Sequence, residues 1–87
     1  MNVQPQNAKR AQDVVGYFAR STQLPMPVVE TCRMYASELI GLIDSGGEKQ
    51  QFIHLLGKME KAGVADMGSA AHELLSVVKA IIDVEHK

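Results

Sequence analysis

The residues that could carry chemistry in this chain are three histidines and one cysteine. His54, His72 and His86 all fall on polar faces of predicted helices, and none belongs to an H-x-x-x-H or E-x-x-H motif, the spacings of helical zinc sites. His72 and His86 would lie about four turns apart on one helix, which is too far to share an ion. We therefore predict no metal site and no bound cofactor.

His72 raises an alternative, because a surface histidine on a bundle helix carries the phosphoryl group in histidine phosphotransfer domains. The run Ala71-His72-Glu73-Leu74 fits the A-H-x-L part of their motif. The chain then departs from it, since Leu75 and Ser76 stand where those domains have lysine and glycine. His72 also lies on the last predicted helix, whereas those domains place another helix after the active one. A phosphocarrier acting through His72 is therefore a distant alternative.

Cys32 is the only cysteine, so the chain cannot form an internal disulfide. It falls on the apolar stripe of a predicted helix without a histidine placed to activate it, so we expect a buried, unreactive side chain. No nucleophile system or phosphate loop is present either, and we predict that the protein is not an enzyme. Residues 1–10 lack the apolar core of a secretory signal, and no apolar run approaches the ~20 residues that cross a bilayer. We expect a cytoplasmic protein without a membrane segment.

Helix-breaking residues divide the 87-residue chain at near-regular intervals. Proline cannot continue a helix, and glycine readily adopts the positive φ found at helix ends. The breakers are Leu24-Pro25-Met26-Pro27, Ser45-Gly46-Gly47 and the segment from Gly63 to Gly68. Between them, apolar residues recur every three or four positions. We therefore predict one all-α domain over residues 1–87, a compact antiparallel bundle of four helices arranged as two αα-hairpins.

Capping signals indicate where the four helices begin and end. Ser45-Gly46-Gly47-Glu48 fits the S-x-x-E capping box, which places Ser45 at the cap of the third helix. The first helix is rich in alanine and the least hydrophobic, so we expect its start to fray. The predicted bounds are Pro5 to Arg20 or Ser21, just before Pro27 to about Asp44, the capping box to about Ala62, and Asp66 or Ser69 nearly to the C-terminus.

The apolar stripe of each helix predicts the core. Such a short chain buries only about 60–65% of its unfolded surface, so this core is thin. Its expected members are Ala8, Ala11, Val14, Val15 and Phe18; Val28, Val29, Cys32, Ala36, Leu39, Ile40 and Ile43; Phe52, Leu55, Leu56 and Met59; and Ala71, Leu74, Leu75, Val78, Ile81 and Ile82.

The side of the second helix opposite its core stripe is the best candidate for a binding site. Its residues repeat at spacings of four, three, four and three, which keeps them in line, and they are Glu30, Met34, Ser37, Gly41 and Asp44. Gly41 is disfavoured inside a helix by about 1 kcal/mol, and Met34 is an adaptable apolar contact. A second helix could approach closely here. We predict a small non-enzymatic protein-binding module, a regulator, inhibitor or adaptor, with a homodimer among its expected states.

Nucleic-acid binding through a helix-turn-helix at the junction of the first two helices is the alternative. Ala19, Leu24 and Val29 fall where that motif needs small and apolar residues, but Gln23 replaces the usual glycine of the turn. The second helix also begins without basic or amide side chains to contact base edges. The phosphate contacts would come from Lys9, Arg10, Arg20 and Arg33. The net charge is −1, so we do not expect binding to nucleic acid.

Overall fold

A computed structural model describes residues 3–21 and 24–86, without the side chains of residues 84–86. Within these residues the chain forms four α-helices, one turn of 3₁₀ helix and no strand. The elements are α1 (Pro5–Arg20), α2 (Met26–Ser45), α3 (Lys49–Lys61), the 3₁₀ turn Val64–Asp66, and α4 (Ser69–His86). The predicted all-α bundle of four helices is confirmed. It measures 37 × 24 × 19 Å.

The helix ends follow proline and glycine, as the sequence predicts. Pro5 occupies the first turn of α1, and Pro27 the first turn of α2. Gly46 ends α2 with φ of 69°, which brings the N–H of Gly47 to 2.8 Å from the carbonyl oxygen of Leu42. That bond satisfies one of the carbonyls left unpaired at the helix end, and glycine makes the left-handed turn without steric cost.

The predicted cap of the third helix is wrong. Ser45 is the last residue of α2, and α3 instead begins after Glu48. Glu48 and Gln51 form the capping box, in which the backbone N–H of Glu48 donates to Oε1 of Gln51 at 2.8 Å. The left-handed turn at Gly46 separates Ser45 from α3, so its hydroxyl lies 3.4 Å from the carbonyl oxygen of Leu42, within its own helix.

The core has nearly the composition that the apolar stripes predict. Seven predicted members are only partly buried, namely Ala8, Val15, Val28, Ile40, Ile43, Leu56 and Ile82. Tyr35, Val64 and Val77 are buried without having been predicted. Val77 is buried because α4 contacts α1, α2, α3 and the 3₁₀ turn, so more than one stripe of this helix is covered. The fully buried side chains of largest volume are Phe18, Phe52, Leu39, Leu55, Met59, Leu74 and Ile81.

Ion pairs join neighbouring helices at the surface of the bundle. Arg10 of α1 pairs with Glu73 of α4 at 3.0 Å, and Lys58 of α3 pairs with Glu38 of α2 at 2.8 Å. None of the helices, over the part of the chain that is described, has the length and apolar character needed to cross a bilayer.

Candidate functional site

The five predicted binding residues of α2 share one exposed face. Glu30, Met34, Ser37, Gly41 and Asp44 are all exposed, and we call them the outer face of α2. The face exists because the other side of the helix is held in the core through Val29, Cys32, Tyr35, Ala36 and Leu39. Since one turn takes 3.6 residues, burying that stripe turns the residues at spacings of three and four outward.

Methionine gives this face its apolar character. The side chain of Met34 is 56% exposed, and that of Met26, four residues before Glu30, is 64% exposed. These are the two most exposed large apolar side chains in the described part of the chain, ahead of Tyr17 on α1 and Ile53 on α3. Sequence reasoning missed Met26, because it lies within the Leu24-Pro25-Met26-Pro27 breaker. Its spacing from Glu30 was the signal that could have placed it on the outer face.

Gly41 leaves the face open between Ser37 and Asp44. A Cβ built on this glycine would have no neighbour within 4 Å among the described residues, apart from its own helical backbone. No packing inside the bundle therefore requires a glycine at this position. The same holds for Gly57 on α3. Gly16 differs, because the tip of the Arg20 side chain would lie 3.0 Å from its added Cβ.

A groove of about 400 Å³ runs beside the outer face, between α2 and α3. The Glu38–Lys58 ion pair stands at its edge, and both of these side chains are 41% exposed. Leu42 and Leu55 supply the apolar lining, and Gln50, Gln51 and His54 contribute polar groups. The groove joins the outer face of α2 to the neighbouring surface of α3.

Three of the four basic residues proposed for DNA contacts have partners within the bundle. Lys9 lies 3.5 Å from Asp13 on the same helix, and Arg10 binds Glu73 and Ser76 of α4. Arg33 donates to main-chain carbonyls near the end of α1, and Arg20 is exposed at that end. Gln23, in the turn of the proposed helix-turn-helix, lies outside the described residues.

The remaining candidates for chemistry lie apart from one another. His72 is exposed near the start of α4, His54 is exposed in the α2–α3 groove, and the side chain of His86 is outside the described part. Cys32 is fully buried in the core, and the loss of solvent around it raises the pKa of its thiol. Across the described residues, no three histidine, cysteine or carboxylate side chains come close enough to hold a metal ion.

Comparison with protein-family models, curated proteins and solved structures found no match to this chain. The case for a function therefore depends on the surface of the bundle itself.

Proposed function

We propose that this protein is a small non-enzymatic binding module that contacts a protein partner through the outer face of α2. The observation that carries the proposal is the exposure of Met26 and Met34, the two large apolar side chains most open to solvent among those described. Two large exposed apolar side chains on the same side of one helix suit a binding surface, whereas exposed apolar residues scattered singly need no explanation.

The shape of the face favours a helical partner. Gly41 and Ser37 lie one turn apart and carry almost no side-chain bulk, so the backbone of a second helix can approach closely. Met34 lies one turn from Ser37, and its flexible thioether adapts to the partner surface. Glu30 lies between Met26 and Met34, and Asp44 lies at the far end of the face, so both supply the charged groups that interfaces usually have at their rim.

Capture from a lysate of the native host tests the proposal, with the wild-type protein and Gly41→Leu as baits. Leucine is a good helix former and has open space at this position, so the variant folds, but its side chain projects from the face between Ser37 and Asp44. We expect at least one protein to be retained by the wild type and depleted about tenfold on Gly41→Leu, which corresponds to about 1.4 kcal/mol of binding free energy.

Lys79→Leu is the control, because it also places a leucine at an exposed helical position, but on α4 and outside the α2–α3 surface. It should retain the same proteins as the wild type. Identical sets of proteins on all three baits, with melting temperatures showing that each is folded, would show that the outer face of α2 is only solvated.

The helix-turn-helix regulator and the His72 phosphocarrier stay predictions of lower rank. Intramolecular partners already occupy Lys9, Arg10 and Arg33, which weighs against a DNA-binding role for them. We propose that the protein is located in the cytoplasm. Its single cysteine is buried and forms no internal disulfide, which is consistent with a reducing compartment.

A further inference from the structure

The two helices that border the 400 Å³ groove carry charges of opposite sign. On α2 the charged residues are Glu30, Glu38 and Asp44 against Arg33, a balance of −2. On α3 they are Lys49, Lys58 and Lys61 against Glu60, a balance of +2. Of these residues, Glu38 and Lys58 line the groove itself, and Glu30 and Asp44 lie on the adjoining outer face of α2.

A surface that carries both signs side by side can bind a copy of itself. In a two-fold dimer the same surface serves both partners, so it must contain its own complement. A surface of a single sign would instead fit an oppositely charged protein. The chain as a whole has a net charge of −1, so long-range repulsion between two copies is small.

We propose that a second copy of this chain docks across the α2–α3 groove, with α2 of each copy lying on α3 of the other. This inference rests on the proposed function, because it takes the outer face of α2 as a protein-binding surface and names its partner. The two-fold axis runs along the groove, parallel to the helices. Since α2 and α3 are antiparallel, each helix then meets an antiparallel helix of the second copy.

The Glu38–Lys58 ion pair fixes how the two copies align. Their atoms are 2.8 Å apart, so the two side chains reach the same level along the bundle. Rotation about an axis parallel to the helices keeps every residue at its own level. Glu38 of one copy therefore faces Lys58 of the second, and the four side chains form a square of alternating charge around the axis.

The apolar and small residues of α2 fit the same arrangement. Gly41 lies three residues from Glu38 and leaves room for α3 of the second copy. Met34 lies four residues before Glu38, at the level of the end of α3. There the aliphatic stem of Lys61 of the second copy can cover its thioether. The dimer thus covers Met34, one of the two exposed methionines that carry the proposed function.

Charge reversal followed by mixing tests the dimer. In Glu38→Lys alone the square holds only positive charges, and in Lys58→Glu alone only negative ones. Each variant by itself should lose the dimer, with the dissociation constant rising about tenfold or more. When the two are mixed, every positive group again faces a negative one, so a one-to-one heterodimer should form. Native mass spectrometry resolves the heterodimer from the homodimers, because the two variants differ in mass.

The Arg10–Glu73 pair supplies a matched control on the other side of the bundle. It also joins two helices, at 3.0 Å, with side chains 36% and 45% exposed. These two substitutions lie outside the groove. Mixing Arg10→Glu with Glu73→Arg should therefore give no more dimer than the wild-type protein forms. If either reversal at the groove fails to fold by circular dichroism, Glu38→Gln and Lys58→Gln replace it, and both must weaken the dimer.

A wild-type protein that stays monomeric at its highest soluble concentration would overturn the inference. So would single reversals that dimerise as well as the wild type, or a mixture without heterodimer. These failures are distinct from failure of the proposed function, because a heterologous protein that is captured by the wild type and lost on Gly41→Leu would still support the outer face of α2 as a binding surface.

Discussion

Arg33 of α2 donates a hydrogen bond from Nε to the main-chain carbonyl oxygen of Phe18, near the end of α1, at 3.1 Å. A second nitrogen of the same guanidinium, Nη2, donates to the carbonyl oxygen of Ala19 at 3.0 Å. The last carbonyls of a helix have no partner within it, and a positive charge at this end is favoured by the helix dipole. Arg33 therefore caps α1 from a neighbouring helix.

The first prediction is that Arg33→Met lowers the free energy of unfolding by about 1–2 kcal/mol, because hydrogen bonds from a charged group are lost while the apolar stem is kept. Arg20→Met is the control, since it removes an exposed arginine at the same end of α1, and it should change the free energy by less than about 0.5 kcal/mol. Urea denaturation followed by circular dichroism measures both. Equal effects would show that Arg33 is not a cap.

The second prediction concerns nucleic acid. Arg10 and Arg33 have partners within the bundle. To contact them, duplex DNA would have to displace Glu73 from Arg10 or break the hydrogen bonds between Arg33 and the end of α1. We expect weak or absent binding at about 150 mM salt, where non-specific affinity is low. A gel-shift assay with genomic fragments measures it. Sequence-specific retention below micromolar concentration would instead favour the helix-turn-helix.

The third prediction separates two glycines of α2. Gly46 has φ of 69°, which costs an alanine about 1–2 kcal/mol, so Gly46→Ala should destabilise the protein by about that amount. Gly41 is helical and its added Cβ meets nothing, so Gly41→Ala should stabilise it by about 0.5–1 kcal/mol. The melting temperature should fall in Gly46→Ala and rise in Gly41→Ala, relative to the wild type. A destabilising Gly41→Ala would mean that this position packs against something inside the bundle.

The fourth prediction follows from the burial of Cys32, which raises the pKa of its thiol from an ordinary value of 9.0. Above that pH the unfolded chain releases the thiol proton and the folded chain keeps it, so the free energy of unfolding should fall as the pH rises. Cys32→Ala removes this part of the pH dependence and is the control. A thiol reagent should likewise modify the protein quickly in urea and slowly without it. Fast modification of the folded protein would contradict the burial.

Local chemistry explains why the helices could be predicted from the sequence. Pro5, Pro27, Gly46 and Gly63 act on the backbone within one or two residues, so their effects do not depend on the rest of the fold. The outer face of α2 was also predictable as a set of positions, because helical periodicity alone decides which residues oppose the core stripe. Whether a protein binds there is a separate question, and it stays a prediction.

The features that the sequence did not predict depend on contacts between elements. The cap formed by Arg33 requires α1 and α2 to lie side by side, and the groove ion pair requires α2 beside α3. Val77 is buried because four elements surround α4. The error at Ser45 has a local cause. The predicted capping box, Ser45 with Glu48, overlaps the one that forms, Glu48 with Gln51, and the left-handed turn at Gly46 favours the second.

The most direct test of the binding surface, and our last prediction, uses a photo-reactive amino acid in place of Ser37, the exposed residue between Met34 and Gly41. The control carries it in place of Lys79, which is also exposed, on α4. After irradiation in the native host, we predict a defined protein adduct from position 37 and none from position 79. An adduct of twice the chain mass would identify a second copy, and another mass a different partner. No adduct from position 37, or equal adducts from both positions, would contradict a binding surface on α2.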